Sequence, residues 1–148
     1  MSKYNLEKIL PHKPPMILLD DIEQYSLEKQ NLSANFEVHP KKMFFDANID
    51  GVNSLVGLEF MAQAIGCYSY FKSGCQEPEP GLLLGTRLFN NSIEKFKRGE
   101  KYTVFVQELY SDEQIHAFDC RIADKNDVEL QNACIKVYKS EDIEGFLK

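Results

Sequence analysis

One glutamate stands out as a residue able to do chemistry. Glu59 lies in the segment from Ser54 to Lys72, which has no proline and is mostly apolar. A carboxylate among apolar neighbours is costly unless it is paired, and desolvation raises its pKa. Such a group holds its proton near neutral pH and can give that proton to a leaving group. The structural alternative is a hydrogen bond from Glu59 to Gln63, one turn further along, or to solvent.

The start of the same segment offers hydrogen-bond donors. Backbone N–H groups in the first turn of a helix have no partner inside the helix, so those near Ser54, Leu55 and Val56 can point at a substrate carbonyl oxygen. Asn53 and Ser54 also offer side-chain oxygens where the helical pattern begins. We therefore expect a proton donor and an oxygen-binding site on one helix.

The three histidines are the other candidates for proton transfer. His39 ends an alternating strand pattern and is expected to be exposed, whereas His116 shares a strand face with Phe118 and is expected to be partly buried. His12 stands in a proline-rich segment, and it either fixes that segment by a hydrogen bond or lies in the pocket. The sequence shows no metal-ligand spacing and no glycine-rich phosphate loop, so no cofactor is expected.

The elements that position these residues follow an α+β order. An apolar run from Met16 to Ile22 and an alternating pattern from Leu32 to His39 predict two strands. A predicted loop from Lys41 to Val52 leads to the helix, which Gly74 ends. Four more strands are predicted at 82–89, 101–110, 115–123 and 128–138. This order predicts a curved antiparallel sheet wrapped around one long central helix.

Length, composition and charge limit the possible functions. The chain has 148 residues, of which 43% are hydrophobic, so one domain over 1–148 is expected. It carries 17 Lys+Arg against 23 Asp+Glu, a net charge of −6, which argues against nucleic-acid binding. The first twenty residues lack the apolar run of a signal peptide, and no stretch reaches the length of a membrane span. A cytoplasmic protein with reduced cysteines is therefore expected.

Three motifs carry a family resemblance. The segment from Leu10 to Ile22, Leu-Pro-His-Lys-Pro-Pro-Met-Ile-Leu-Leu-Asp-Asp-Ile, resembles the amino-terminal motif of the hot-dog-fold 3-hydroxyacyl-acyl-carrier-protein dehydratases. Gly57 to Gln63 resembles a stretch of their central helix, and Leu83 to Arg87 is similar to a motif of the dehydratase-like proteins of aryl-polyene gene clusters. The resemblance implies a hot-dog fold and a lyase that removes water from aryl or alkyl 3-hydroxyacyl thioesters, in fatty-acid-like or aryl-polyene biosynthesis.

The resemblance also reveals a missing catalytic group. The dehydratases carry a histidine base in a stretch that here reads Phe-Phe-Asp-Ala-Asn-Ile-Asp-Gly, residues 44–51, with Asn48 in the histidine position. An amide cannot accept a proton at neutral pH. Asp46 or Asp50 can occupy the space instead, and His12 is a further candidate for the base. The expected substrate contacts are Asn48, Ser54, Leu55, Val56 and Gln63.

Three functions remain open at this point. The first is a dehydratase that uses Glu59 as its acid and His12 as an unusual base. The second is a hot-dog thioesterase in which Glu59 or a loop aspartate activates water. The third is a catalytically incomplete subunit that pairs with an active dehydratase and supplies a wall of the acyl pocket or the carrier-docking surface, while the partner can donate the missing histidine. Because the pocket of this fold family lies between subunits, a homodimer or a heterodimer with a second dehydratase is expected.

A basic cluster is the expected docking surface for an acyl carrier protein. Carrier proteins of this kind are acidic, and a local basic patch can attract them although the whole domain is negative. The alternative is an ordinary solvated loop. The cluster consists of Arg87, Lys95, Lys97, Arg98 and Lys101.

Overall fold

The computed structural model describes residues 4–74, 82–112 and 114–138. Within these ranges the helices are α1 (Leu6–Ile9) and α2 (Gly57–Lys72), and a 3-10 turn at Ser54–Val56 precedes α2. The strands are β1 (Asp21–Ser26), β2 (Asn31–Glu37), β3 (Phe45–Asp46), β4 (Gly51–Asn53), β5 (Leu82–Asn91), β6 (Lys95–Lys97), β7 (Lys101–Ser111), β8 (Ile115–Ala123) and β9 (Glu129–Tyr138). Neither helix has the length and apolar character needed to cross a membrane, as far as the described residues go.

Among the described residues, the main sheet has six antiparallel strands in the order β1-β2-β7-β8-β9-β5. Apolar residues at every second position of β7, such as Tyr102, Val104 and Val106, are buried on its inner face. Helix α2 packs against this face and contacts β2, β7, β8 and β9. Phe60 of α2 stacks on Phe36 of β2, with 3.7 Å between ring centroids. One helix against one antiparallel sheet confirms the α+β architecture predicted from the sequence.

A second, small sheet has the order β3-β4-β6 and lies where the sequence predicted only a loop. Val52 pairs with Phe45 on one side and with Phe96 on the other, and the side chains of Val52 and Phe96 are buried. The prediction of a loop over 41–52 is therefore wrong at β3 and at the start of β4, which pair within that range. The strands of the small sheet are too short to show an alternating pattern in the sequence. In addition, the whole of α2 separates β6 from β4 along the chain.

The strand predicted at 16–22 is also wrong in its position, because β1 begins only at Asp21. Met16 and Leu18 are held by a side chain of α2, and pairing with β2 begins at Asp20, whose N–H donates to the Asn35 carbonyl oxygen at 2.8 Å. Leu18 N donates to Gln63 Oε1 at 2.9 Å, and Gln63 Nε2 donates to the Met16 carbonyl oxygen at 2.7 Å. Gly66 makes room for this arrangement, since a Cβ there would lie 2.9 Å from Leu10 Cδ2. We call residues 4–19 the arm; it lies along α2.

Candidate active site

The first turn of the central helix is held by its neighbours. Asn53 Oδ1 accepts a hydrogen bond from Leu55 N at 2.9 Å, and Ser54 N donates to the Glu94 carbonyl oxygen at 3.1 Å. Two of the N–H groups that we expected to be free for a substrate oxygen therefore already have acceptors. The reason is that the cap and the segment before β6 satisfy donors that a helix start otherwise leaves open.

Glu59 lies on the face of α2 that the sheet does not cover. Its side chain is exposed, and it takes part in no hydrogen bond or ion pair among the described residues. Around it on the same face are Leu55, which is 63% exposed, and the half-buried Leu58 and Ala62. The expectation of a buried Glu59 is therefore wrong for the single chain. Glu59 is thus an exposed carboxylate among apolar side chains that the sheet does not cover in the described part of the chain.

The arm brings His12 to the same helix as Glu59. His12 lies between Leu10, which packs at Gly66, and Met16, which is bound by Gln63. Its side chain is half-buried, and its Nδ1 atom is buried without a hydrogen-bond partner within 4–74, 82–112 and 114–138. No hydrogen bond or ion pair joins His12 to Glu59 in the ranges described. His12 is thus near the right helix but is not assembled with the carboxylate.

Gln63 serves the arm rather than an open pocket. Its side chain is 3% exposed, and its carbonyl oxygen and amide nitrogen both bind the backbone of the arm. Gln63 lies one turn after Glu59, so it ties the arm to α2 next to the candidate acid. In this structure, Gln63 is a positioning residue for the arm and is not free to contact a substrate.

Asn48 lies exposed in the turn between β3 and β4, and its backbone N–H donates to Asp46 Oδ1 at 2.9 Å. Two residues of the basic cluster hold this turn. Lys95 Nζ donates to the Ile49 carbonyl oxygen at 2.6 Å, and Arg98 Nε lies 2.9 Å from Asp50 Oδ1. Asp46 and Asp50 are thus engaged in fixing the turn that carries Asn48.

The remaining residues of the basic cluster lie apart from these contacts. Lys97 and Lys101 have exposed side chains. Arg87 belongs to β5, and its side chain lies outside the described part of the structure. Of the four cluster residues whose side chains are described, two fix the turn of Asn48 and the other two face solvent.

The structure also contains a buried polar cluster that we did not predict. Glu108 is on the inner face of β7, 1% exposed, and Lys72 Nζ binds both of its carboxylate oxygens at 2.7 and 2.9 Å. Gln30 Nε2 donates to Glu108 Oε1 at 3.3 Å, and His116 Nδ1 lies 3.8 Å from Oε2. Burial and the nearby Glu108 carboxylate raise the pKa of Tyr68 to about 12. This cluster fixes the C-terminal end of α2 to the sheet.

The alternating pattern of β7 indicates in the sequence that Glu108 faces the core. Tyr102, Val104 and Val106 precede it at alternate positions, so a charged residue takes the next core-facing place. Gln131 shows the same signal on β9, before Ala133 and Ile135, and is fully buried. A polar residue on the apolar parity of a strand is therefore the pattern that finds both.

Solved structures of other proteins share this fold. The chain matches the dehydratase heterocomplex ApeI:P from Xenorhabdus doucetiae at 23% identity, with 98% of this chain and 97% of that chain covered and a TM-score of 0.86. It also matches a thioesterase from Streptococcus pneumoniae solved with coenzyme A, at 12% identity, 80% and 84% coverage and a TM-score of 0.62. The PaaI protein of Escherichia coli matches at 9% identity, 81% and 78% coverage and a TM-score of 0.61. These likenesses establish the hot-dog fold.

A family model settles what the fold alone leaves open. The model described as ApeP-like, ApeP dehydratase, matches residues 4–148. The match includes the arm with His12, the turn with Asn48 and all of α2 with Glu59. The chain therefore belongs to the ApeP-like dehydratase family.

Proposed function

We propose that this chain is a subunit of a 3-hydroxyacyl-carrier-protein dehydratase and that a second subunit completes its active site. The substrate is an aryl or alkyl 3-hydroxyacyl thioester. A base removes the proton next to the thioester carbonyl, the bond from carbon to the hydroxyl oxygen breaks, and Glu59 donates the proton with which that hydroxyl leaves as water. Glu59 is the catalytic acid in this scheme.

One observation carries the proposal: Glu59 lies in an apolar stripe of α2 that the described part of its own chain leaves uncovered. A proton donor for a leaving hydroxyl is most effective when water is excluded, and Leu55, Leu58 and Ala62 provide the apolar surface for a covering subunit. The Xenorhabdus doucetiae protein is part of a dehydratase heterocomplex, which supports a heterodimer with an active dehydratase. A homodimer is the alternative.

The base is proposed to come from the partner subunit. Asn48 stands in the place of the family's histidine, and its exposed amide can donate a hydrogen bond to the thioester carbonyl although it cannot accept a proton. Ser54, Leu55 and Val56 are proposed to line the pocket beside it. If the chain is active without a partner, His12 is the proposed base, because its Nδ1 atom is buried and lacks a hydrogen-bond partner in the described part of the chain.

The test follows the mass of a 3-hydroxyacyl carrier-protein thioester. The substrate is incubated with the chain alone, with a complete dehydratase alone and with both together. Loss of water well above the sum of the separate rates supports the heterodimer. Loss of water by the chain alone that ceases in His12→Gln supports the homodimer. Free thiol and acid would instead make the chain a thioesterase.

A matched pair of variants tests the role of Glu59. Glu59→Gln should lower the dehydration rate by about 10²- to 10⁴-fold, the usual contribution of a general acid. Glu23→Gln, an exposed glutamate on β1, should leave the rate unchanged. Equal rates for the two variants would exclude Glu59 as the acid.

Carrier docking is proposed at the solvent-facing residues of the basic cluster, Lys97 and Lys101. Lys97 is the strongest candidate there, since Lys95 and Arg98 already bind the turn of Asn48. Arg87 lies on the adjoining edge strand and is kept in the proposal. Lys97→Glu should weaken carrier binding more at low salt than at high salt, whereas Lys29→Glu, in the turn after β1, should not. Salt-independent binding would remove the docking proposal.

A further inference from the structure

Gln131 of β9 is a buried polar residue with an unusual set of contacts. It is 1% exposed and takes the core-facing parity that Ala133, Ile135 and Val137 continue. An amide at such a position is unfavourable unless it makes hydrogen bonds. One of its polar atoms, Oε1, has no hydrogen-bond partner among the residues that the structure describes. An apolar side chain would pack better at this position. Core packing therefore does not explain why residue 131 has an amide side chain.

The amide nitrogen of Gln131 holds the residue that begins the 3-10 turn. Nε2 donates to the Ser54 carbonyl oxygen at 2.7 Å and to Asn91 Oδ1 at 3.1 Å. Asn91 in turn donates from Nδ2 to Ser54 Oγ at 2.8 Å. Since Ser54 N is bound by the Glu94 carbonyl oxygen, the backbone N–H, backbone carbonyl and hydroxyl of Ser54 all have partners. The turn is thereby fixed at its first residue.

The carbonyl end of the same side chain reaches the other end of the turn. A Cβ on Gly57, the first residue of α2, would lie 2.8 Å from Gln131 Cδ and closer still to Oε1. Gly57 therefore has no side chain where the amide packs. Gln131 contacts both Ser54 and Gly57, and these residues enclose the 3-10 turn through which the chain enters the helix.

We propose that Gln131 is a positioning residue for Glu59. Glu59 follows Gly57 by two residues, so the direction in which the turn enters α2 sets where the carboxyl group lies. Hydrogen bonds fix this direction in a way that apolar contacts do not, because they have preferred angles as well as distances. This inference rests on the proposed function, in which Glu59 is the catalytic acid.

The kinetic test is a double-mutant cycle on the complete dehydratase complex. Gln131→Leu keeps the volume and removes the hydrogen bonds; it should lower kcat by about 10- to 100-fold, the effect of a small misplacement of a reacting group. KM should rise by a smaller factor than kcat falls, because the loosened turn also carries Ser54, Leu55 and Val56, which line the proposed pocket. Adding Gln131→Leu to Glu59→Gln should cause no further loss. A double variant slower by the full factor of Gln131→Leu would overturn the proposal.

The control is Asn132→Ala, the next residue on β9, which faces the other side of the sheet and binds Asn90 and Glu129. It should leave kcat unchanged, and a loss equal to that of Gln131→Leu would also overturn the proposal. If Gln131→Leu does not fold, Asn91→Ala removes one bond of the same network, and its loss of kcat must likewise vanish when Glu59 is already replaced.

Amide hydrogen exchange tests the positioning without any activity. In Gln131→Leu, the amides of residues 54–58 should exchange about 10-fold faster or more, while those of 64–72 keep their protection. Unchanged exchange at 54–58 would overturn the inference. Failure of the wild-type complex to dehydrate the substrate would instead overturn the proposed function, and the exchange result would still decide whether Gln131 fixes the turn.

Discussion

Replacing Lys72 with methionine should strongly destabilise the fold, because it leaves the carboxylate of Glu108 buried without its cation. Glu108 is 1% exposed, and Lys72 Nζ binds both of its oxygens. Methionine keeps most of the length of the lysine stem, so the loss is one of charge rather than of volume. The groups that remain around the carboxylate are Gln30, whose Nε2 donates at 3.3 Å, the hydroxyl of Tyr68, and His116, whose Nδ1 lies 3.8 Å from Oε2.

The magnitude follows from how deeply the pair is buried. Removing one partner of a buried ion pair typically costs about 3–5 kcal/mol. Lys72 is 37% exposed, which places this pair at the lower end, about 3 kcal/mol. A domain of this kind has a total stability of about 5–15 kcal/mol, so the loss is a large share of it. With an m-value of about 2 kcal/mol per M urea, the unfolding midpoint falls by about 1.5 M.

Urea unfolding at neutral pH, followed by circular dichroism, measures the change. Replacing both partners, as in Lys72→Met/Glu108→Leu, should restore most of the stability, because no uncompensated charge is then buried. Arg98→Met serves as control, since the Arg98–Asp50 pair is 56% and 57% exposed and should contribute only about 0–1 kcal/mol. A loss below about 1 kcal/mol in Lys72→Met would refute the reasoning.

Three further changes test other contacts. Gln63→Leu removes both hydrogen bonds to the arm and should cost about 2–4 kcal/mol; urea unfolding and limited proteolysis of the arm measure it, and unaltered cleavage would contradict it. Gly66→Ala places a methyl group 2.9 Å from Leu10 Cδ2, the end of a side chain that can shift, so the cost of this contact should cancel most of the gain of about 1 kcal/mol in helix propensity; a full gain in urea unfolding would argue against close packing there. Tyr68 has its pKa raised from 10.0 to about 12, so from pH 10 to pH 12 the unfolded chain releases a proton that the folded chain keeps. Stability should fall over that range by up to about 1.4 kcal/mol per pH unit, and urea midpoints of Tyr68→Phe should lack this component; parallel curves for the two proteins would refute it.

The parts of the fold with a clear period were predictable from the sequence. The strand predicted at 115–123 has the bounds of β8, and the helix predicted from Ser54 to Lys72 differs only by its 3-10 start. These elements bury one face or stripe, so alternation and helical spacing report them directly. Gly74, with φ of +87°, ends the helix as expected because glycine adopts this conformation at low cost.

The parts that depend on distant partners were not predictable. The arm contains the apolar run of a strand, but Gln63, 45 residues after Leu18, supplies its hydrogen bonds. The small sheet needs Phe96 beside Val52. A single sequence carries no signal for such pairings. Val52 and Phe96 favour a strand whatever strand lies beside them, so their residue types do not show which strands pair.

The candidate site was predictable in its residues but not in its environment. The apolar stretch singled out Glu59, yet burial of a helix face depends on what packs against it, and the sheet of this chain covers the opposite face. Glu108 and Gln131 were not predicted, because a polar residue in a strand is usually exposed. Each takes a core-facing position in an alternating strand, and this position is visible in the sequence.

The two outer strands of the main sheet have a consequence for how the protein avoids aggregation. β1 and β5 are the edges of the sheet, and edges with free N–H and C=O groups invite open-ended strand addition. Both have irregular registers: β1 between Ile22 and Gln24, and β5 between Arg87 and Asn90, where Leu88 has φ of +57° and is 80% exposed. A further strand can align along only part of such an edge. We therefore expect these irregular edges to disfavour open-ended strand addition.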